Sequence, residues 1–253
     1  MDKNFVGMHK DKFYLESIKI LSSGVLKMQN NEVSNNTGSR KPAVSDSVIK
    51  RLPRYFRYLR ILMRSGISRI SSAELSRMMN VTASQIRQDL NCFGGFGQQG
   101  YGYNVEYLYA KICDLLGVGA GLNSIIIGAG NLGRAIVRSN MFEKRGVEII
   151  GIFDVDPTLT NQKIEYIDVY DLGALEDFCS ENKVDFAVLT LPKQCAQEVA
   201  ARLVSLGVNG FWNFTGQELD LPDDAIIENV HLGDSLMTLC YRINSADRDG
   251  GSI

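Results

Sequence analysis

Two capped helices joined by a tight turn, a strand running into a G-x-G-x-x-G turn, and the β/α alternation beyond it predict the fold class of this 253-residue chain. It is α/β: an N-terminal winged helix-turn-helix domain, then a Rossmann doubly wound parallel sheet and a C-terminal helix. The boundaries expected from sequence are a flexible extension at 1–42, the winged-helix domain at 43–105, and a linker helix and hinge at 106–122. The sheet domain follows at 123–232, with the helix and tail at 233–253.

Charge separates the two halves. Residues 43–105 carry nine Lys/Arg against three Asp/Glu, whereas 106–253 carry eleven against twenty-two. A basic module joined to an acidic one directs only the first towards a polyanion. No run of about 18 apolar residues exists, so no membrane span is expected. Cys92, Cys113, Cys179, Cys195 and Cys240 are scattered, with no C-x-x-C pair. Reduced thiols and a cytoplasmic location are expected, with no bound metal.

In chain order, the polar run from Gln29 to Ser39 reads as linker. Pro53 suits the first turn of a helix that Gly66 ends, with Phe56, Leu59 and Met63 facing inward. Arg54, Arg57, Arg60 and Arg64 crowd its other surface without an acid among them. Ser71-Ser-Ala-Glu74 is a capping box that opens a second helix through Met79, and Thr82-Ala-Ser-Gln85 is another that opens a third. Ile86, Leu90 and Phe93 put one side of the third helix in the core. Ser84, Gln85, Arg87 and Gln88 face outward, and these side-chain types read base edges in a major groove. Phe93 to Tyr103 holds five glycines among four aromatics, which reads as a β-ribbon wing.

The third landmark is Gly128-Ala129-Gly130-Asn131-Leu132-Gly133. In this spacing the first glycine makes the turn, the second admits a pyrophosphate and the third packs helix on strand. Phosphates would lie at the helix N-terminus. Asp154 ends the next apolar strand, 21 residues after Gly133, where a ribose-binding acid is expected. Further strands end near Thr190, Pro192 and Asn213, at the carboxyl edge where the far end of a dinucleotide would sit. The last helix, Asp234 to Asn244, presents Leu236, Leu239, Cys240 and Ile243 on one face. That face would pack either on its own domain or on a second chain.

With these landmarks read, the chain resembles the Rex family of redox-sensing transcriptional repressors. The resemblance is carried by Ser84-Gln-Ile-Arg-Gln-Asp-Leu-Asn-Cys-Phe-Gly-Gly-Phe-Gly, Gly102-Tyr-Asn-Val, the glycine turn and Phe153-Asp-Val-Asp-Pro157. It implies a homodimer with an exchanged C-terminal helix, bound to inverted-repeat operator DNA and released by NADH, with NAD+ as the competing ligand. It also implies DNA contacts from Arg51, Arg54, the outward side of the third helix, Gln98 and Gln99. Tyr103 matches a family tyrosine near the subunit junction. Two positions depart from the family pattern: His231 stands where many relatives carry Asp in an interdomain switch, and Thr215-Gly216 replaces Ala-Pro.

Two other readings compete. A cytosolic NAD-dependent dehydrogenase needs a positioned acid or base, but the only histidines are His9 and His231, and the Tyr107/Lys111 pair precedes the glycine turn. Alternatively, the sheet domain holds another nucleotide, such as coenzyme A, while the DNA-binding half stays as read.

Overall fold

A computed structural model describes residues 44–94, 97–98 and 101–249. The 1–42 extension and Gln99 lie outside the described residues. The chain divides into two compact units, Met1–Ala120 and Gly121–Ile253.

The first unit begins with α1 (Asp46–Ile49) and α2 (Leu52–Arg64), the latter with Pro53 in its first turn. β1 (Arg69–Ile70) leads into α3 (Ser72–Met79) and α4 (Ala83–Asn91). The wing strands β2 (Gly97–Gln98) and β3 (Gly102–Asn104) follow, then α5 (Val105–Leu115). The three short strands pair antiparallel in the order β1-β3-β2. Gly102 has φ +70°, and a Cβ there would come within 2.7 Å of the Ile70 carbonyl oxygen, so glycine is what lets β3 pass β1.

Ser71 and Glu74 close the full capping box of α3. At α4 only half of the expected box forms. Thr82 caps the Gln85 N–H at 3.1 Å, while the Gln85 side chain turns to Asp89 instead. Asn80, at φ 50°, makes the turn between the two helices.

The stretch expected to be a linker helix is a core element. Val105, Leu108, Tyr109, Ile112 and Cys113 of α5 are buried with Tyr55, Leu59, Leu75, Met79, Ile86 and Leu90. Five apolar residues along eleven give this helix a full stripe to bury, which a solvated connector could not carry.

The second unit is a sheet in the order β10-β9-β8-β4-β5-β7-β6, parallel throughout except for β6 against β7. Its strands are β4 (Leu122–Ile127), β5 (Val147–Asp154), β6 (Lys163–Ile164) and β7 (Ile167–Asp171), then β8 (Phe186–Leu189), β9 (Gly210–Asn213) and β10 (Ile226–Asn229). Ile125 and Ile127 pack on one face with Leu203 of α8 (Lys193–Ser205); Ile126 packs on the other with Ile136 of α6 (Asn131–Arg138). This two-residue alternation sandwiches the sheet between helices. α7 (Leu175–Glu181) joins the first face.

The order reverses between β4 and β8, so the crevice for a ligand opens outside their carboxyl ends. The chain ends in α9 (Leu232–Asp249), whose described side chains are almost all exposed. No helix among the described residues is long and apolar enough to cross a membrane.

Candidate nucleic-acid and dinucleotide sites

α3, the left-handed turn at Asn80 and α4 form the helix-turn-helix. Ser84, Arg87 and Gln88 are exposed on α4, as the 3.6-residue spacing requires. Arg87 donates from Nη1 to the Ser72 hydroxyl at 3.2 Å.

Beneath this face lies Asp89, fully buried. Arg51 donates to it through Nε (2.7 Å) and Nη2 (2.8 Å), the Tyr55 hydroxyl at 2.9 Å and Gln85 Nε2 at 2.8 Å. Burial alone would push the Asp89 carboxyl up. The bonds from Arg51, Gln85 and Tyr55 outweigh that and hold it below the ordinary range. The same group, by hydrogen bonding, raises Arg51; burial and then the bond to Asp89 raise the Tyr55 phenol. Two side chains expected to meet DNA, Arg51 and Gln85, thus point inward and clamp α4 onto α2. Arg54, another, reaches from Nη2 to the Met79 carbonyl at the end of α3.

Arg57 and Arg60 lie over the rings of Tyr58 and Phe56. Gln98 lies in β2. Tyr103, on β3, is half-buried against the first unit's core, and burial raises its phenol.

In the second unit the three glycines differ in environment. Gly128 has φ +105°, and a Cβ there would meet the Thr190 backbone at 2.8 Å. A Cβ on Gly133 would stand 2.1 Å from the Gly128 carbonyl oxygen. One on Gly130 would meet nothing within 4 Å. The outer glycines are therefore required by the protein itself, whereas the middle one leaves space open over the turn. No side chain caps the first N–H groups of α6, which starts at Asn131 with Leu132 behind it. An uncapped helix start beside open backbone suits a pyrophosphate.

The Asp154 carboxylate lies across this turn. Its Oδ2 accepts the Ala129 N–H at 2.6 Å and its Oδ1 the Asp156 N–H at 2.9 Å. Asp156 is held low by the Thr158 hydroxyl and backbone N–H. Thr190 closes the other side, donating to the Ile127 (3.0 Å) and Gly128 (2.8 Å) carbonyls. Pro192 is exposed at the start of α8, and Asn213 is buried at the end of β9.

Sequence reasoning missed Arg134. Its Nε donates to the Ala129 carbonyl at 2.8 Å, and its charge lowers Asp156. The available signal was a cation in the first turns of a helix, where the dipole disfavours it. His231 Nε2 lies 3.5 Å from Glu218 Oε1. Tyr103 and His231 belong to different units.

These features define a class of protein: a helix-turn-helix module joined to a Rossmann sheet shaped for a dinucleotide. Residues 43–91 match the family model described as "Putative DNA-binding protein N-terminus", and residues 122–216 match "CoA binding domain". The chain is 54% identical to the redox-sensing transcriptional repressor Rex of Thermoanaerobacter sp. (strain X514), over 83% of this chain and 93% of that one. It is 50% identical to the Rex of Clostridium perfringens (strain SM101 / Type A), over 82% of this chain and 98% of that protein. Among solved structures, RSP, a Rex-family repressor, in complex with β-NAD+ and operator DNA gives a TM-score of 0.77 at 52% identity. That match covers 84% of this chain and all of RSP. The RSP complex with β-NADH gives 0.77 at 50% identity, over 83% and 98%. The chain belongs to the Rex family of redox-sensing transcriptional repressors.

Proposed function

We propose that this chain is a homodimeric repressor that senses the NADH/NAD+ ratio. It binds inverted-repeat operator DNA through α3, α4 and the wing, and leaves it when NADH occupies the Rossmann site, NAD+ being the competing ligand. The observation that carries this is the open space over Gly130 between an uncapped helix start and the Asp154 carboxylate. RSP, at about half identity, has been solved with NADH and with NAD+ plus operator.

In this reading Gly128, Ala129, Gly130, Asn131, Leu132 and Gly133 hold the pyrophosphate, and Asp154 the adenosine ribose. Thr190 and Pro192 border the nicotinamide end, with Asn213 behind them. Ser84, Arg87 and Gln88 face the bases, with Arg54, Gln98 and Gln99 along the backbone. Arg51 and Gln85 contribute through Asp89. Tyr103 and His231 belong to the switch between a winged-helix domain at 43–105 and a nucleotide domain at 123–232, joined by 106–122.

The dimer forms through the helix in 233–253. Its Leu236, Leu239 and Ile243 are exposed, and an apolar helix face of this length calls for a partner surface. The protein works in the cytoplasm and is not an enzyme. The relatives are named repressors, and the Thr190 hydroxyl at the crevice is committed to backbone carbonyls.

A mobility-shift series on an A·T-rich inverted repeat tests the reading, with NADH, NADPH and coenzyme A compared. NADH should release the DNA. NADPH should act on the order of tenfold more weakly, because Asp154 and Asp156 face its extra phosphate. Release by coenzyme A alone would overturn the assignment.

A further inference from the structure

Asn213 ends β9 and is 1% exposed. Its Nδ2 donates to the Gln217 carbonyl at 2.7 Å and to Asn229 Oδ1 at 2.8 Å. Its Oδ1 accepts the Thr215 N–H at 3.1 Å and the Thr215 hydroxyl at 2.7 Å. Two donors and two lone pairs are the whole capacity of a primary amide. Nothing is left on this side chain to offer a nicotinamide.

The bonds continue outward. Asn229 stands opposite Asn213 in the parallel β9–β10 ladder, and its Nδ2 donates to Glu218 Oε2 at 3.4 Å. Glu218 Oε1 faces His231 Nε2 at 3.5 Å. His231 immediately precedes α9, and its carbonyl accepts the Asp234 N–H in the first turn at 3.2 Å.

We infer that Asn213 is a positioning residue rather than a ligand contact, and that Asn229 and Glu218 carry the ligand response from the 213–218 loop to the root of α9. The inference rests on the proposed function and deepens it. A ligand pressing on Phe214 to Gly216 must either break the saturated amide or drag Asn229 with it. Leaving a buried amide unpaired is costly, so the second movement wins. The links lengthen outward, and the Glu218 side chain is 79% exposed. Truncating it therefore removes the connection with little effect on folding.

The test uses the full-length protein with Glu218→Ala, Glu218→Gln and Asn229→Ala. Operator affinity is measured with and without saturating NADH, and NADH and ADP-ribose affinities by calorimetry. For Glu218→Ala we expect ligand affinities and ligand-free DNA affinity within about twofold of wild type. The NADH-induced loss of DNA affinity should shrink about fivefold or more, a modest allosteric coupling. Asn229→Ala should lose that response too, and Glu218→Gln, which keeps an acceptor for Asn229, should retain part of it.

Full retention of the response in both alanine variants overturns the inference and leaves the proposed function standing. A drop in NADH affinity that ADP-ribose does not share would make Glu218 a ligand contact, and also overturns it. A wild-type protein indifferent to NADH removes the proposed function, and this inference with it.

Discussion

Asp89 shows how one buried carboxylate can set the orientation of a whole helix. It accepts four hydrogen bonds, two of them from a bidentate guanidinium. Removing its charge leaves Arg51 facing a neutral amide. Asp89→Asn should cost about 3 kcal/mol at pH 7, the scale of a broken buried ion pair. Because the folded-state carboxyl titrates below its ordinary value, the contribution is fully present above about pH 4, the unfolded value. It disappears as pH falls through the folded pKa. Urea denaturation at pH 7 and at pH 3 checks this: the gap between wild type and variant should be narrower at the lower pH, and equal stabilities at pH 7 would contradict it.

The glycine turn supplies a second contrast at this scale. Gly133→Ala would place a Cβ 2.1 Å from a backbone oxygen, so helix and strand must part. Gly130→Ala adds its methyl to open space. We expect Gly130→Ala to melt within a few degrees of wild type but to bind NADH at least tenfold more weakly, about 1.4 kcal/mol. Gly133→Ala should lose both folding stability and binding. Scanning calorimetry with NADH titration separates the two, and unchanged NADH affinity in Gly130→Ala would place the phosphates elsewhere.

At the scale of elements, α4 and the wing carry the expected DNA surface. Arg87 is exposed and donates to the half-buried Ser72 hydroxyl. Arg87→Ala should leave the melting temperature unchanged and cost about 1–3 kcal/mol in operator binding. Anisotropy titrations at several salt concentrations distinguish loss of a base contact from loss of a phosphate contact, which lowers the salt slope by about one.

What was legible in the sequence at this scale was local. The capping box at Ser71, Pro53 in its first turn, and the strand that runs into the glycine turn are dictated by neighbours within a few positions. What was hidden depends on distance along the chain. Arg51 reaches Asp89 across 38 residues, so no spacing rule could show that this expected DNA contact turns inward, whereas Gln85 stands four residues from Asp89 on one helix, a spacing that permits its bond. The helix at 105–115 looked like a connector because its place in the order, not its stripe of apolar residues, guided the reading. The pairing of β6 with β7 escaped because the two residues of β6 are too few to display a period. At the candidate dinucleotide site the glycine turn and the acid at the end of β5 were legible, but the saturation of Asn213 was not, since its partners Gln217 and Asn229 carry no motif.

For the whole molecule, charge and apolar surface point the same way. The basic first unit is set to meet DNA, and the acidic second unit ends in a helix whose leucines are exposed. Leu236→Glu puts a charge on that face, where Leu236 is 60% exposed in the single chain. We expect the folded monomer to persist and the dimer to dissociate, seen as halved mass in sedimentation equilibrium; an unchanged mass would place the dimer interface elsewhere.

The central claim is that occupancy of the Rossmann site and grip on the operator are coupled. Two distinct sites and a differential affinity make that claim quantitative. The direct measurement is the operator dissociation constant of the full-length protein at fixed salt, without ligand and with saturating NADH. We predict an increase of at least about fivefold with NADH, the lower end of an ordinary allosteric coupling. An identical constant in both conditions, with NADH shown to be bound, would contradict the account.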